Sequence, residues 1–142
     1  MKPTVFEKIA LGLSGIAALV IGASILIVPQ AFYASYGIAL GHDASLLSEL
    51  RAPGASLAAF GALMLLGIRI RAFLPTSIAA ALTVFTAFPA GRLVSLALDG
   101  VPSGGIIAAL VIELGIAGLC LAAFRRRMGR AVPAHRTPQP AR

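Results

Sequence analysis

Tryptophan is absent from this 142-residue chain, and cysteine, histidine and acidic residues are scarce: one Cys, two His and five Asp plus Glu. A single Cys120 excludes an internal disulfide, a Cys-x-x-Cys redox pair and a thiolate metal cage, and its place in an apolar run suits a small buried filler. The histidines lie far apart. His42 stands beside Asp43 in a glycine-bounded loop and His135 in a tail of Pro, Ala, Arg, Gln and Thr, so neither has the neighbours a metal cage needs. There is also no Ser/His/Asp set and no glycine-rich phosphate loop. No metal, cofactor or catalytic residue is therefore expected. Charge of any sign is sparse, at 12% of residues against 58% hydrophobic. A soluble domain carries roughly a quarter charged residues, so this is a membrane composition.

What is present is apolar sequence in four blocks, near Ile9–Val28, Ala52–Ile68, Phe73–Ala90 and Ile106–Phe124. Each approaches the roughly 17–25 residues that carry a helix across the hydrocarbon. A barrel would need short alternating strands, whereas these runs are continuous and rich in Leu, Ala, Ile and Gly. The expected fold is all-α: a bundle of four transmembrane helices, residues 1–125, with spans near 7–28, 48–68, 75–98 and 103–124. Residues 126–142 read as a basic, disordered tail. The first block exceeds the length of a signal-peptide core, and Glu7 is out of character there, so an uncleaved helix is expected. Ser14, Ala18 and Gly22 on this helix, and Gly54, Ala58 and Gly61 on the next, give faces of small side chains where helix backbones can approach closely.

Pro29 ends the first span and can open another helix at its first turn. Phe32, Tyr33 and Tyr36 follow within one and a half turns, and Gly37 closes the segment. Aromatics so placed suit a short helix in the membrane interface, acting as an anchor or as a lid with a tyrosine hydroxyl turned inward.

The net charge of +7 is a matter of placement. Lys2, Lys8, Arg69, Arg71, Arg125, Arg126, Arg127, Arg130, Arg136 and Arg142 all fall on one side of a four-span thread, ten of the twelve basic residues. By the positive-inside rule both termini are cytoplasmic, in a multi-pass membrane protein. Nucleic acid is not an expected partner, because the basic tail lacks interleaved aromatics and a fold to present them. The lipid bilayer is, and a membrane-protein partner or a second copy of the chain is compatible with the small-residue faces.

The remaining charges sit within or beside the spans. An arginine at the centre of a spanning helix costs about 2.5–3.5 kcal/mol on insertion scales, so Arg92 needs compensation, and Glu113 in the middle of the next apolar run is the candidate to supply it. Glu49 and Arg51 flank the start of the second span and Asp99 ends the third. Together with Tyr33 and Tyr36 they form the expected polar cluster or ligand site, in the outward half: Arg92 with Glu113, Arg51 with Glu49 or Asp99, the tyrosines above. Residues 49 and 51 lie about 200° apart on a helix, so only one of them can turn into the bundle.

Three motifs in order, Pro29-x-x-Phe32-Tyr33-x-x-Tyr36-Gly37-Ile38, Glu49-x-Arg51-Ala52-x-Gly54, and Gly91-Arg92-Leu93-x-Ser95-x-x-x-Asp99-Gly100-x-Pro102 with Glu113 beyond, resemble domain of unknown function 4345, a family of small bacterial four-helix membrane proteins. The resemblance covers about residues 5–125. It implies the architecture, four helices with short loops in a bacterial inner membrane, and no reaction. Two functions stay open on the residues alone. A structural or accessory membrane subunit would use the charges as a lock between helices, and a binding or transport-related protein would use them to hold a small anionic or lipid-like ligand. A lock pairs every charge internally, whereas a site leaves arginine donors unused.

Overall fold

A computed structural model describes residues 3–131, with side chains through Gly129; the remainder of the expected tail, His135 included, lies outside the described residues. The chain forms α1 (Val5–Ile27), a short α2 (Pro29–Ala34), α3 (Ala44–Arg69), a single 3-10 turn at Arg71–Phe73, α4 (Leu74–Leu98) and α5 (Gly104–Ala131). Four of these, the long ones, are long and apolar enough to cross a membrane. They pack as a ring in which α1 adjoins α3, α3 adjoins α4, α4 adjoins α5 and α5 returns to α1.

The ends of the helices follow from local chemistry. Thr4 caps α1 through a capping box: its side chain accepts from Glu7 N–H, and Glu7 accepts from Thr4 N–H at 2.7 Å. Pro29 stands at the first position of α2, where its missing N–H costs nothing. Asp43, expected beside His42 as an acidic neighbour, is instead the N-cap of α3 and accepts from Leu46 N–H at 2.7 Å. That helix starts earlier than residue 48 for this reason. Gly37 (φ +77) closes α2 and Gly100 (φ +94) follows α4, both in the left-handed region where a side chain is strained. Pro53 and Pro89 are carried inside continuous helices.

In lipid, burying apolar surface gains little, because acyl chains are as apolar as leucine; association rests on close packing and on interhelical hydrogen bonds. The α1–α3 seam supplies the packing. A Cβ placed on Gly22 would lie 2.6 Å from the Gly54 carbonyl oxygen, and one on Gly61 would lie 2.7 Å from that of Gly15. Ser14 and Ala18 are buried on the same face of α1. Between α3 and α4, Ser77 Oγ donates to the Leu63 carbonyl at 2.6 Å. The core closes around Leu11, Met64, Cys120 and Phe124, all fully buried. Outward-facing Ile9, Leu13, Ile16, Val20, Leu93, Val94, Val111 and Leu121 are exposed, which in a bilayer is contact with lipid.

The last helix departs from the expected boundary at residue 126. It runs on to Ala131, because Arg127 has a partner on α1. Glu7 is buried to 5% exposure and accepts from Arg127 Nε, while Arg127 Nη2 donates to its other oxygen at 2.9 Å. This two-pronged clasp ties the first turn of α1 to the last of α5.

Candidate functional site

At the opposite end of the bundle from the clasp, α4 and α5 approach each other with Arg92 and Glu113 between them. Arg92 is six residues from the end of α4, and Glu113 nine from the start of α5, so the two lie roughly 9 and 14 Å below the same end. The side chains bridge that offset. Arg92 Nε donates to both carboxylate oxygens of Glu113, at 3.0 and 2.9 Å. Glu113 is 7% exposed, and the Arg92 side chain 30%.

This geometry uses one donor of five. A guanidinium carries five N–H groups in a planar fork. In a fork-to-fork pair two nitrogens would each meet one oxygen; here Nε alone meets both. Arg92 Nη1 and Nη2 have no hydrogen-bond partner among the described residues. Nor are they sealed in, since no buried side-chain nitrogen or oxygen among the described residues lacks a partner. Four charged N–H donors are thus open.

Arg92 lines a cavity of about 250 Å³ walled by residues of all four long helices and of α2. Its walls are mostly aliphatic and aromatic, with Ile21, Leu57, Phe85 and Ile116 deep in the bundle, and its polar groups are Arg92, Glu113, Tyr33 and Tyr36. A predominantly apolar space with a few convergent polar groups is the usual form of a small-molecule site. Over its α2 end the aromatics hold one another: Phe32 packs edge-on against Tyr33 and Tyr36, with ring centres 5.4 and 5.3 Å away. The cover is fastened to α5. Ser103 Oγ donates to the Tyr36 carbonyl at 2.8 Å, so its side chain serves α2, while its carbonyl accepts from Ile106 and Ile107. Gly105 lies beneath the Tyr36 ring, where a Cβ would come within 3.1 Å.

Of the seven residues expected to gather, the structure brings four together: Arg92, Glu113, Tyr33 and Tyr36. The other three are elsewhere. Arg51 pairs with neither Glu49 nor Asp99; its Nε donates to the Leu26 carbonyl at 3.1 Å. Leu26 is among the last residues of α1, whose final carbonyls have no partner within the helix, and a cation there is also favoured by the helix dipole. Asp99 accepts from Ser95 Oγ at 2.7 Å on the exposed end of α4. Glu49 is exposed in the early turns of α3, with no ion pair or hydrogen bond to a described residue. His42 is exposed, and no group of three His, Cys, Asp or Glu among the described residues is placed to hold a metal. The Glu7–Arg127 clasp was not anticipated. Its signal was the Thr4-Val5-Phe6-Glu7 capping pattern at the head of an apolar run, which fixes where Glu7 points.

Fold and site together define a small four-helix bundle of membrane-spanning character, with an arginine–carboxylate pair opening on an internal cavity. The chain belongs to the family described as Domain of unknown function (DUF4345), whose model matches residues 6–124. No curated protein and no solved structure matches it.

Proposed function

We propose that this protein binds a small anionic, lipid-like ligand in the cavity between α2 and the middle of the bundle, with Arg92 as the anchor. One observation carries the reading: the Nη groups of Arg92 are charged and unpartnered among the described residues, and Arg92 lines a mostly apolar cavity. A structural or accessory subunit would need Arg92 and Glu113 only as a lock between α4 and α5. Nε alone completes that lock, and the free edge and the cavity would then have no use. Intramembrane ionisable groups are costly and mark function by default.

In this account Glu113 orients the guanidinium and offsets its charge, so the helix can insert without ligand, while the unpartnered Nη donors remain for an anion. The cationic end of the bundle, with Arg125, Arg126 and the Arg69–Arg71 turn, faces the cytoplasm by the positive-inside rule. The cavity then lies in the outer half of a bacterial inner membrane, and both termini are cytoplasmic.

The test is native mass spectrometry of the protein released from its own membrane in mild non-ionic detergent, wild type beside Arg92→Gln. A small anionic mass on the wild type, lost from a variant of equal helicity, is the expected result. A bare wild-type chain, or one that carries only a protein partner, would overturn the binding role in favour of the accessory one.

A further inference from the structure

Arg92 borders a second space. On the flank between α4 and α5 lies a more open groove of about 550 Å³, walled by residues that include Gly91, Ser95, Pro102, Ile107 and Leu110. Phe88, Arg92 and Ile106 belong to the walls of both the groove and the interior cavity. Arg92 therefore stands at the seam between the inside of the bundle and its lipid-facing flank, where Leu93, Val94 and Val111 are exposed. It is the one charged residue on the groove's walls among the described residues, and the Ser95 hydroxyl nearby is already committed to Asp99.

The two approaches to the cavity differ. From the α2 end a ligand meets the Phe32, Tyr33 and Tyr36 rings, tied down through Ser103. Along the flank the wall is low: Gly91 has no side chain, and a Cβ there would meet nothing within 4 Å. Two residues before Gly91, Pro89 has no N–H to offer the Phe85 carbonyl, so α4 is missing a rung there.

Resting on the reading of Arg92 as an anion anchor, we infer that the ligand is a single-chain anionic amphiphile taken from the bilayer through the α4–α5 seam. Its carboxylate or phosphate head lies on the Nη edge of Arg92, and its chain lies in the interior cavity. The head must be a negatively charged hydrogen-bond acceptor, because the open groups on the wall are cationic donors. The chain must be apolar, because the cavity is aliphatic and aromatic away from Arg92, Glu113 and the tyrosines. It must also be single. The cavity of about 250 Å³ lies below the roughly 300–1,000 Å³ of pockets for drug-sized ligands, too narrow for a two-chain phospholipid.

The chain provides its own reporter. It has no Trp and two Tyr, and both line the cavity. Tyrosine emission therefore reads this site alone. The full chain in phosphatidylcholine vesicles, which hold no other protein, is mixed in stopped flow with bromododecanoate, whose heavy atom quenches tyrosine, with dodecanoate, dodecyl phosphate and butyrate as competitors. Saturable quenching that Arg92→Gln abolishes is expected. Dodecanoate or dodecyl phosphate should displace the probe, the stronger of the two identifying the head group, and butyrate should be weaker by well over about tenfold, since each methylene lost is felt. Gly91→Leu, which fills the groove and leaves the cavity walls unchanged, should slow association by about tenfold or more. Ala87→Leu narrows the same groove and replaces it if Gly91→Leu falls short of wild-type helicity. Butyrate competing as well as dodecanoate, or association at the wild-type rate in the groove variant, would overturn the amphiphile and its lateral route while leaving the Arg92 site standing. Absence of any Arg92-dependent quenching would remove the site itself.

Discussion

Replacing Glu113 by Gln separates a ligand site from a lock, because the two predict different signs. The amide keeps the shape of the carboxylate and one oxygen to accept from Arg92 Nε, so the guanidinium stays where it is. What changes is charge. An anion seated on the Nη edge lies roughly 6 Å from the Glu113 carboxylate, and like charges at that separation repel by about 3 kcal/mol at an effective dielectric of about 20, or about 0.7 kcal/mol in water. Glu113 is 7% exposed, so the upper figure is the closer one. Relief of the repulsion should tighten binding of dodecyl phosphate by between about threefold and about a hundredfold, since each 1.4 kcal/mol is about a factor of ten. Stability should move the other way. Breaking a buried pair costs about 3–5 kcal/mol, and the partial exposure of Arg92 reduces this to about 2–3 kcal/mol. Titration calorimetry of dodecyl phosphate into wild type and Glu113→Gln in neutral detergent, with thermal unfolding of both, reads the two signs together. A folded Glu113→Gln protein that binds the anion no better than wild type would refute the reasoning.

The other predictions concern the frame that holds the site. Gly22→Ala puts a methyl 2.6 Å from the Gly54 carbonyl oxygen and 2.9 Å from Ala58 Cα, well inside the roughly 3.5–4.0 Å of ordinary contact, and both obstacles are backbone. It should destabilise the bundle by about 1–3 kcal/mol. At Gly12, by contrast, the nearest atom is Ile68 Cδ1 at 3.9 Å, so Gly12→Ala should raise the melting temperature through its helix propensity. Equal melting temperatures would contradict the close α1–α3 approach. At the other end, Glu7→Gln and Arg127→Gln should each cost about 1–3 kcal/mol and the double variant little more than either, as a shared clasp requires. Additive losses would show that the two side chains act independently. Truncation after Gly129 keeps the clasp and should leave the melting temperature unchanged, whereas truncation after Arg126 should lower it.

The fold was legible because its determinants are one-dimensional. Four apolar runs, Pro29 between two of them and the glycines at 37 and 100 state helix count, the short α2 and two of the turns without knowledge of any contact. The Arg92–Glu113 pair was legible for a related reason: consecutive antiparallel helices joined by a short turn fix relative depth, and depth decides which charges can meet. Arg51 was not, because its acceptor is a backbone carbonyl. Pro29 marks where α1 runs out of internal partners, but nothing in the sequence says that Arg51 reaches the Leu26 carbonyl. The clasp was missed for the opposite reason, since Arg127 was read with the tail by its composition, while its partner lies 120 positions away. The α4–α5 groove depends on where Phe88 and Ile106 meet around Arg92, a property of packing that spacing does not state.

In the proposed site the Nη edge of Arg92 holds an anion while Nε stays on Glu113. Nitrogen NMR of the arginine side chains tests it, with Arg92 assigned by comparison with Arg92→Gln and dodecyl phosphate added to the full chain in micelles. Arg92 Nη signals should shift and slow their rotation as the anion binds, while the Nε–H signal keeps its position. Nη signals that ignore the anion, or an Nε signal that moves with it while Nη does not, would contradict it.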